Sequence, residues 1–512
     1  MGARPERGRR RGRRNARRAE SAETASAPAY LTREIPPYAL LEEDGLARIE
    51  AQADWLLQEI GVEFRGDPEA LALFREAGAD VRGERVRLEP GMAAALASSA
   101  PTRFTQHARN PERSVEIGGD NAVFAPMYGA PFVTDLEGGR RYGTIEDFEN
   151  LVKLTYGLPA LHHSGGTVCE PCDIAVNKRH LDMVLAHIRY SDKPYIGSIT
   201  EMERAEDSIE MSRLLFGADF VDEHCVVMGN INVNSPLVYD KVASNAIRTY
   251  AGANQAPIVV PFVLGGAMGP PTIAGSVAQA HAEALVGIAL GQLARPGSPA
   301  IYGNFFTTVN LRSGSPTFGM PEAALAYLIV GQLARRRHLP FRCGGALTGS
   351  KCCDAQAMQE SANSLLPVIL GGANFVLHAA GWLEGALTIG YEKLLLDHDM
   401  LMGLQVFARG APMDDNAFAA EAFREVGPGG HFFGSAHTLA NYRAAYFEPD
   451  LADSRTYEAW SEDGAKTAEQ RAHARWRQML QDYEPPPLET AKAEALEAFV
   501  AQRKAATPDR WH

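Results

Sequence analysis

The chain has 512 residues, of which 46% are hydrophobic, so it can form more than one domain around a substantial core. Its net charge of −13 argues against a nucleic-acid partner, and the absence of a run of about eighteen apolar residues predicts no membrane span. Six cysteines are too few for a disulfide scaffold and are typical of a reducing, cytoplasmic setting.

The N-terminal segment is strongly basic. Residues 1–20 contain nine arginines and two glutamates, and such blocks of like charge are usually disordered. We predict a disordered basic tail over residues 1–35; an arm that binds a partner and a targeting segment are the alternatives. For residues 36–115 we predict an N-terminal helical module, because LLEEDGLARIEAQADWLLQEI has the apolar spacing of an amphipathic helix.

Eight short apolar runs, each containing glycine, recur through the middle of the chain, with one amphipathic, helix-length segment after each. They begin near Ala122, Ala160, Pro194, Cys225, Pro257, Ala300, Pro340 and Asn374. Tandem repetition of a strand, a loop and a helix is the signature of a closed barrel. We therefore predict an α/β fold, a (β/α)8 TIM barrel over residues 116–410, followed by a helical C-terminal extension over residues 411–512.

Several helix starts in this region carry a recognisable signal. Thr144 with Asp147, and Thr200 with Glu203, have the spacing of a capping box. We expect each threonine to begin a helix of the barrel.

Aromatic residues follow several of the predicted strands. Tyr128, His163, Phe306, His378 and Trp382 lie at or just past strand ends, which is where barrels of this class carry their functional groups. A ring of aromatic faces at a barrel mouth attracts a quaternary ammonium ion. Aromatic residues in barrels also commonly fill the core, and the residues alone leave both interpretations open.

Cysteines supply two further motifs. Cys169 and Cys172 form a CxxC pair, but no second pair follows that would complete the ligands of a zinc site. Cys352 and Cys353 precede a predicted helix, whose N-terminus would lower a thiol pKa, yet no neighbouring base is evident. The adjoining GGALTGSK lacks the residue order of a phosphate-binding loop. We predict that this chain binds no metal.

Three long segments resemble one known family. They are GGALTGSKCCDAQAMQES, NFVLHAAGWLEGALTIGYEKLLLDHDM and GGHFFGSAHTLANYR, and they occur in this order along the chain. Together with GVEFRGDPEALALFREAGADVRGERVRLEP near the N-terminus, they resemble the trimethylamine:corrinoid methyltransferase family over roughly residues 40–500.

The resemblance implies a barrel that binds a small methylated amine and passes one methyl group to Co(I) of a corrinoid (cobalamin) carried by a partner protein. Founding members of the family hold a pyrrolysine near the end of the seventh strand, which corresponds here to residues 347–356. Ordinary residues fill that segment in this chain, so we expect no pyrrolysine. Because a quaternary amine needs no such activation, the resemblance implies a betaine-type lineage that acts on glycine betaine or a related betaine.

We expect the substrate to contact residues at the strand ends and in the loop after the seventh strand. The predicted set is Tyr128, His163, Phe306, Lys351, Asp354, Gln356, His378 and Trp382. Lys351 would pair with a betaine carboxylate as a point charge, and Asp354 would either orient the substrate or cap the following helix. No catalytic residue can be named from the sequence, and we expect a homo-oligomer.

Two alternatives to betaine demethylation stay open. The chain could be an altered homologue that acts on another methylated amine, or it could retain the fold as a binding protein without the chemistry. An unrelated barrel aldolase is disfavoured, because none of the eight runs carries a lysine for a Schiff base.

Overall fold

The structure is a computed structural model that describes residues 28–511. At its centre, seven of the eight predicted runs contain a strand. These strands are Asn121–Phe124, Tyr195–Ile196, Val227–Val233, Ala256–Gly265, Ile301–Gly303, Phe341–Gly344 and Phe375–Leu377. The predicted tail falls mainly on residues 1–27, which lie outside the described residues.

The seven strands form one curved parallel sheet. The six from Tyr195–Ile196 to Phe375–Leu377 pair in the order in which they occur along the chain. The last strand pairs with the first, with Phe375 opposite Val123 and Val376 opposite Phe124. This order brings the two ends of the α/β repeat together. The carboxyl ends of all seven strands therefore lie at one edge of the sheet.

The second run, ALHHSGGTV, does not form the predicted strand. Gly165 has a φ of +88°, which interrupts an extended ladder. Its backbone nevertheless bonds to both flanking strands. The N–H groups of His162 and Ser164 donate to the carbonyls of Phe124 and Pro194, at 2.9 Å each. The structure therefore shows a mixed α/β fold with a curled sheet of seven parallel strands.

Eight helices follow the eight runs, one after each. They are Ile145–Gly157, Arg179–Tyr190, Met202–Phe216, Lys241–Gly252, Ile273–Ala294, Pro321–Arg336, Ala355–Leu370 and Tyr391–Ala408. The capping box at Thr144 is present, with both reciprocal bonds to Asp147. The one expected at Thr200 is not: that helix begins at Met202, and the Thr200 hydroxyl instead accepts from Arg204.

The helix Ile273–Ala294 is long and apolar enough to cross a membrane by length and composition alone, but 83% of its most apolar stretch is buried inside the protein. It packs on the strand Ala256–Gly265 and is covered from outside by Glu43–Trp55 and Met92–Ala97. Its buried Glu283 accepts from Ser235 Oγ at 2.6 Å and from Leu237 N–H at 2.8 Å. These contacts explain its composition as that of a core helix.

The N-terminal part of the described chain is tied to the central sheet earlier than the predicted boundary at residue 36. The strand Leu31–Thr32 pairs antiparallel with Ala122 and Asn121. Arg33 is 5% exposed, and its guanidinium donates to the carbonyls of Ala373, Gly119 and Gly372. Residues 31–35 are therefore part of the folded structure.

The rest of the N-terminal segment combines helices with short strands. Its helices are Glu43–Trp55, Pro68–Glu76 and Met92–Ala97, and its strands are Val62–Phe64, Asp80–Arg82, Arg85–Arg87, Arg103–Gln106 and Val115–Gly118. Additional short strands within the α/β repeat are Phe132–Thr134, Arg141–Tyr142, Val238–Tyr239, Phe305–Val309, Pro316–Thr317, Trp382–Leu383 and Thr388–Gly390.

Beyond residue 410 the described chain is helical. Its helices are Asp415–Phe418, Ala420–Val426, Ala436–Asn441, Tyr457–Glu462, Ala468–Gln481 and Thr490–Ala506. One further short helix, Ala218–Glu223, lies within the α/β repeat. Ala468–Gln481 packs on Tyr391–Ala408, and Thr490–Ala506 packs on Met202–Phe216. These two C-terminal helices thus lie against the outer layer of the α/β repeat.

Candidate functional site

The two faces of the sheet can be assigned from strand alternation. Tyr302 points to the helical layer, where its hydroxyl lies 2.8 Å from His281 Nδ1. Phe341 pairs with Tyr302 and shares that face. Arg342, the next residue, therefore points to the opposite, inner face of the sheet, as does its neighbour Phe375.

An aromatic cluster occupies the inner side of the carboxyl edge of the sheet. The ring centroids of His378 and Trp382 are 4.7 Å apart with an interplanar angle of 81°. Phe305 stacks at 6.0 Å from Trp382, and Phe318 meets it edge-on at 5.6 Å. Phe262 stacks on Phe305 at 4.8 Å. The cluster therefore joins residues from the ends of three strands and their loops.

His378 is the most constrained member of this aromatic cluster. Its φ is +63°, a left-handed conformation that is costly for a residue with a side chain. Its Nδ1 accepts the N–H of Tyr128 at 3.2 Å, so a proton on this ring belongs on Nε2. Burial, with a contribution from the positive charge of Arg342, holds the pKa of His378 well below its ordinary value. The imidazole is therefore neutral at physiological pH.

Trp382 connects the aromatic cluster to the loop after the strand Phe341–Gly344. It is 1% exposed, and its Nε1–H donates to the carbonyl of Thr348 at 2.9 Å. The hydroxyl of Thr348 donates to Glu360 Oε2 at 2.7 Å, and Gly349 N–H donates to the same oxygen at 2.8 Å. The loop is thereby fixed to both the cluster and the following helix.

The three predicted rim residues lie on the solvent side of this loop. Asp354 caps the helix Ala355–Leu370: its Oδ1 accepts from Ala357 N–H at 2.8 Å and from Ser350 Oγ at 2.9 Å. Gln356 donates to Glu360 Oε1 at 2.9 Å. Lys351 is exposed. Burial raises the pKa of the nearby Glu384, but the bonds from Arg140 and Thr388, and to a smaller extent the charge of Lys351, lower it below its ordinary value.

Two other predicted residues point away from the aromatic cluster. The ring of Phe306 packs on Gly265, where an added Cβ would lie 3.1 Å from it. Its neighbour Phe305 contacts His378 and Trp382, so by strand alternation Phe306 faces the helical side. His163 lies on the inner face but toward the amino ends of the strands, with Nε2 at 3.1 Å from Gln106 Oε1 and its ring 5.2 Å from Phe375. Burial holds the pKa of His163 well below its ordinary value.

Tyr128 lies at the cluster through its backbone, but its ring packs on the second run. A Cβ at Gly166 would come within 2.7 Å of that ring, so glycine is required there. Burial raises the pKa of Tyr128 to about 12 despite a bond with Thr167. The structure thus brings Tyr128, His378 and Trp382 together among the predicted residues.

Burial holds the thiols of two cysteines in the protonated form. All six are free. Cys169 is buried, and burial raises its pKa well above the ordinary value; burial also raises the pKa of Cys353. Across residues 28–511, no group of three or more His, Cys, Asp and Glu side chains is placed to hold a metal ion.

Sequence reasoning missed two inner residues, Phe305 and Arg342. The pair FF in the sixth run does not show which ring points inward, because the strand is interrupted at Asn304. Arg342 had a signal, since PFRCGGALT carries a charged residue inside an otherwise apolar run. A buried charge in a strand ordinarily needs a partner and so marks a position of interest.

The chain is similar to proteins with assigned activities. The family profile described as trimethylamine methyltransferase (MTTB) matches residues 7–508. Glycine betaine methyltransferase of Desulfitobacterium hafniense (strain Y51) is 43% identical over 92% of this chain and 98% of its own length. Proline betaine:corrinoid methyltransferase of Eubacterium limosum is 28% identical over 77% and 82%. The monomethylamine methyltransferase structure from Methanosarcina barkeri has 11% identity and a TM-score of 0.48, over 89% and 97%.

Proposed function

Because the chain belongs to the trimethylamine methyltransferase family, we propose that it moves a methyl group from a betaine, foremost glycine betaine, to Co(I) of a corrinoid. The corrinoid is carried by a separate protein. The relatives named for glycine betaine and proline betaine support this substrate class. We further propose a cytoplasmic homo-oligomer, in keeping with six unpaired cysteines.

The observation that carries the proposal is the aromatic cluster of Phe305, His378 and Trp382. Its rings present π faces and edges in a buried setting, where a permanent cation gains more from cation–π contact than it does in water. Because His378 is neutral, its ring does not itself repel a bound cation. A quaternary ammonium ion fits these surroundings better than an amine with a solvated lone pair.

The chemistry asked of this chain is binding and alignment. When a methyl group leaves a quaternary nitrogen, the electron pair of the N–CH₃ bond stays on nitrogen and gives a neutral tertiary amine. The reduced corrinoid supplies the electron pair that accepts the methyl group. The protein needs only to remove water from the cation and hold one N–CH₃ bond in line. No residue of this chain has to act as an acid or a base.

Two structural expectations belong to the same proposal. We propose that the second run closes the curled sheet into a barrel, supported by its bonds to Phe124 and Pro194. We also propose that Tyr128 and the rim residues Lys351, Asp354 and Gln356 shape access to the aromatic cluster. The predicted division into an N-terminal module, a barrel and a C-terminal extension remains our proposal for the domain layout.

An anaerobic assay with the reduced corrinoid protein tests the activity. Glycine betaine, proline betaine, carnitine, choline and trimethylamine would each be supplied, and the demethylated amine measured by NMR. We expect dimethylglycine from glycine betaine and no dimethylamine from trimethylamine. A tertiary amine must be protonated or captured covalently before its methyl can leave, and this chain lacks an evident electrophile. Turnover of trimethylamine with no turnover of any quaternary amine would contradict the proposal, and tight binding without turnover would indicate a binding protein.

A further inference from the structure

Arg342 is a buried cation without an anionic partner. It lies in the strand Phe341–Gly344, is 1% exposed, and faces the inner side of the sheet. Within residues 28–511 its guanidinium makes one hydrogen bond, from Nη1 to the carbonyl of Asn304 at 2.8 Å, and its Nε has no partner. No carboxylate of the described chain is among the groups whose charge acts on it.

The charge of Arg342 persists at neutral pH. Burial lowers its pKa to about 10, and the groups that oppose this effect are Cys343 and Tyr327, neither of them a carboxylate. Proteins seldom keep an ionised side chain in the interior unless something pairs with it. The five N–H donors of a guanidinium are arranged to bind a carboxylate with two parallel bonds.

The guanidinium points toward the aromatic cluster. Arg342 is in register with Gly303 on the neighbouring strand, but its hydrogen bond reaches Asn304, one residue nearer the carboxyl edge. The next residue, Phe305, stacks on Trp382 and faces His378. The positive charge of Arg342 also contributes to the lowered pKa of His378. The buried cation and the aromatic rings are therefore adjacent parts of one inner surface.

We propose that Arg342 binds the carboxylate of the substrate while Phe305, His378 and Trp382 surround its quaternary nitrogen. This inference rests on the proposed function and deepens it, because it makes the protein selective for zwitterions. Consecutive residues of a strand are about 3.3 Å apart, so the two subsites suit a compound whose carboxylate lies close to its nitrogen. Choline carries the cation without the carboxylate and leaves the Arg342 charge unpaired.

Lys351 is the competing candidate for the carboxylate. Its side chain is exposed on the rim loop, so salt screens its charge and water competes for its donors. Arg342 is shielded from both. A carboxylate held by Lys351 would also lie outside the loop that Trp382 fixes through Thr348.

Calorimetric titration with glycine betaine and choline, in the absence of corrinoid, tests the inference on the full chain. We expect the wild-type protein to prefer glycine betaine and Arg342→Met to lose at least tenfold in affinity for it, with choline binding unchanged. Arg335→Met is the matched control, since Arg335 also donates to a carbonyl, that of Gly371, and lies in the helical layer. Thermal melting of each variant reports folding.

Arg342→Lys keeps the experiment decisive if Arg342→Met does not fold. It retains a charge but not the planar fork, so we expect several-fold weaker betaine binding and an intact melt. Arg342 variants that keep the wild-type preference for glycine betaine over choline would overturn the inference, as would loss of that preference in Lys351→Met alone. A wrong proposed function would give a different result, because the wild-type protein would then bind quaternary amines without demethylating them.

Discussion

The indole nitrogen of Trp382 donates a 2.9 Å hydrogen bond to the carbonyl oxygen of Thr348. This bond joins the loop after one strand to the loop after the next, at the edge of the sheet where the aromatic cluster lies. It satisfies both polar groups, since Thr348 is fully buried. The same side chain therefore presents a π face to the interior and holds the rim loop in place.

These two roles of Trp382 can be separated by a matched pair of substitutions. Trp382→Phe keeps an aromatic face and loses the hydrogen bond, whereas Trp382→Leu loses both. Cation–π contacts contribute about 0.5 to 2 kcal/mol, so we expect Trp382→Leu to bind glycine betaine about 2- to 30-fold more weakly than Trp382→Phe. Calorimetry measures the difference. Equal affinities, with both variants folded, would assign Trp382 to packing alone.

The buried ion pair of Lys393 and Asp397 supports the turn before Trp382. Lys393 Nζ lies 2.5 and 2.6 Å from the two carboxylate oxygens, and Asp397 also accepts from Gly381 N–H at 2.8 Å. Removing one partner leaves an uncompensated charge, so Lys393→Met should cost about 3 to 5 kcal/mol of unfolding free energy. Urea unfolding measures this cost.

A second substitution provides the control for the ion pair. In Lys393→Met with Asp397→Leu, no charge is left behind, so we expect the double variant to recover part of the lost stability. A double variant less stable than Lys393→Met would show that the Asp397 bond to Gly381, rather than the unpaired charge, dominates.

Asp354 allows its capping role to be tested against a role at the substrate. Asp354→Ala removes an N-cap and should destabilise the protein by about 1 kcal/mol, while Asp354→Asn keeps the acceptor oxygen and most of the stability. We expect neither variant to change the affinity for glycine betaine more than about twofold, because the carboxylate already serves Ala357 and Ser350. A large loss of affinity in a folded Asp354→Asn variant would show that Asp354 contacts the substrate.

His473 should make the docking of the C-terminal helix Ala468–Gln481 depend on pH. Burial lowers its pKa, but the bonds to Glu392 at 2.6 Å and Glu137 at 3.3 Å outweigh this, and the pKa of His473 is raised. A raised pKa in the folded state stabilises the protein fully below the ordinary value of about 6.5, and the contribution disappears as the pH rises through the folded value.

We therefore expect the melting temperature of the wild-type protein to fall, relative to His473→Gln, as the pH is raised from 6 to 9. Charge-assisted hydrogen bonds contribute about 1.5 to 3 kcal/mol. At pH 6 the free energies of unfolding of the wild-type protein and His473→Gln should therefore differ by no more than this amount. A difference that stays constant across this pH range would show that His473 contributes only in its neutral form.

The α/β repeat was predictable because each strand and helix has its own local periodicity. All eight helices follow their runs, and seven runs contain strands. The second run was predicted wrongly, because apolar composition does not reveal that Gly165 adopts a positive φ. Likewise, the capping signal at Thr200 could not show that its hydroxyl bonds to a side chain instead of the helix backbone.

The candidate site was harder to predict than the fold, because it depends on which way each side chain points. Neighbours in sequence such as Phe305 and Phe306 face opposite sides of the sheet, and an irregularity at one residue reverses the assignment. The predicted rim residues are polar and easily noticed, but two of them bond within their own loop and helix. The buried Arg342 becomes significant only when the structure shows that no carboxylate of the described chain pairs with it.

The pairing of Leu31–Thr32 with the first central strand has a practical consequence for how the protein is trimmed. A version starting at residue 36, the boundary suggested by sequence, would expose the strand edge at Asn121. It would also lack Arg33, and three carbonyl oxygens would lose their hydrogen bonds. Such an edge is open to pairing between molecules, so shortened protein should aggregate. A version starting at residue 28 keeps the edge covered and removes the arginine-rich end, which makes it the better choice for crystallisation.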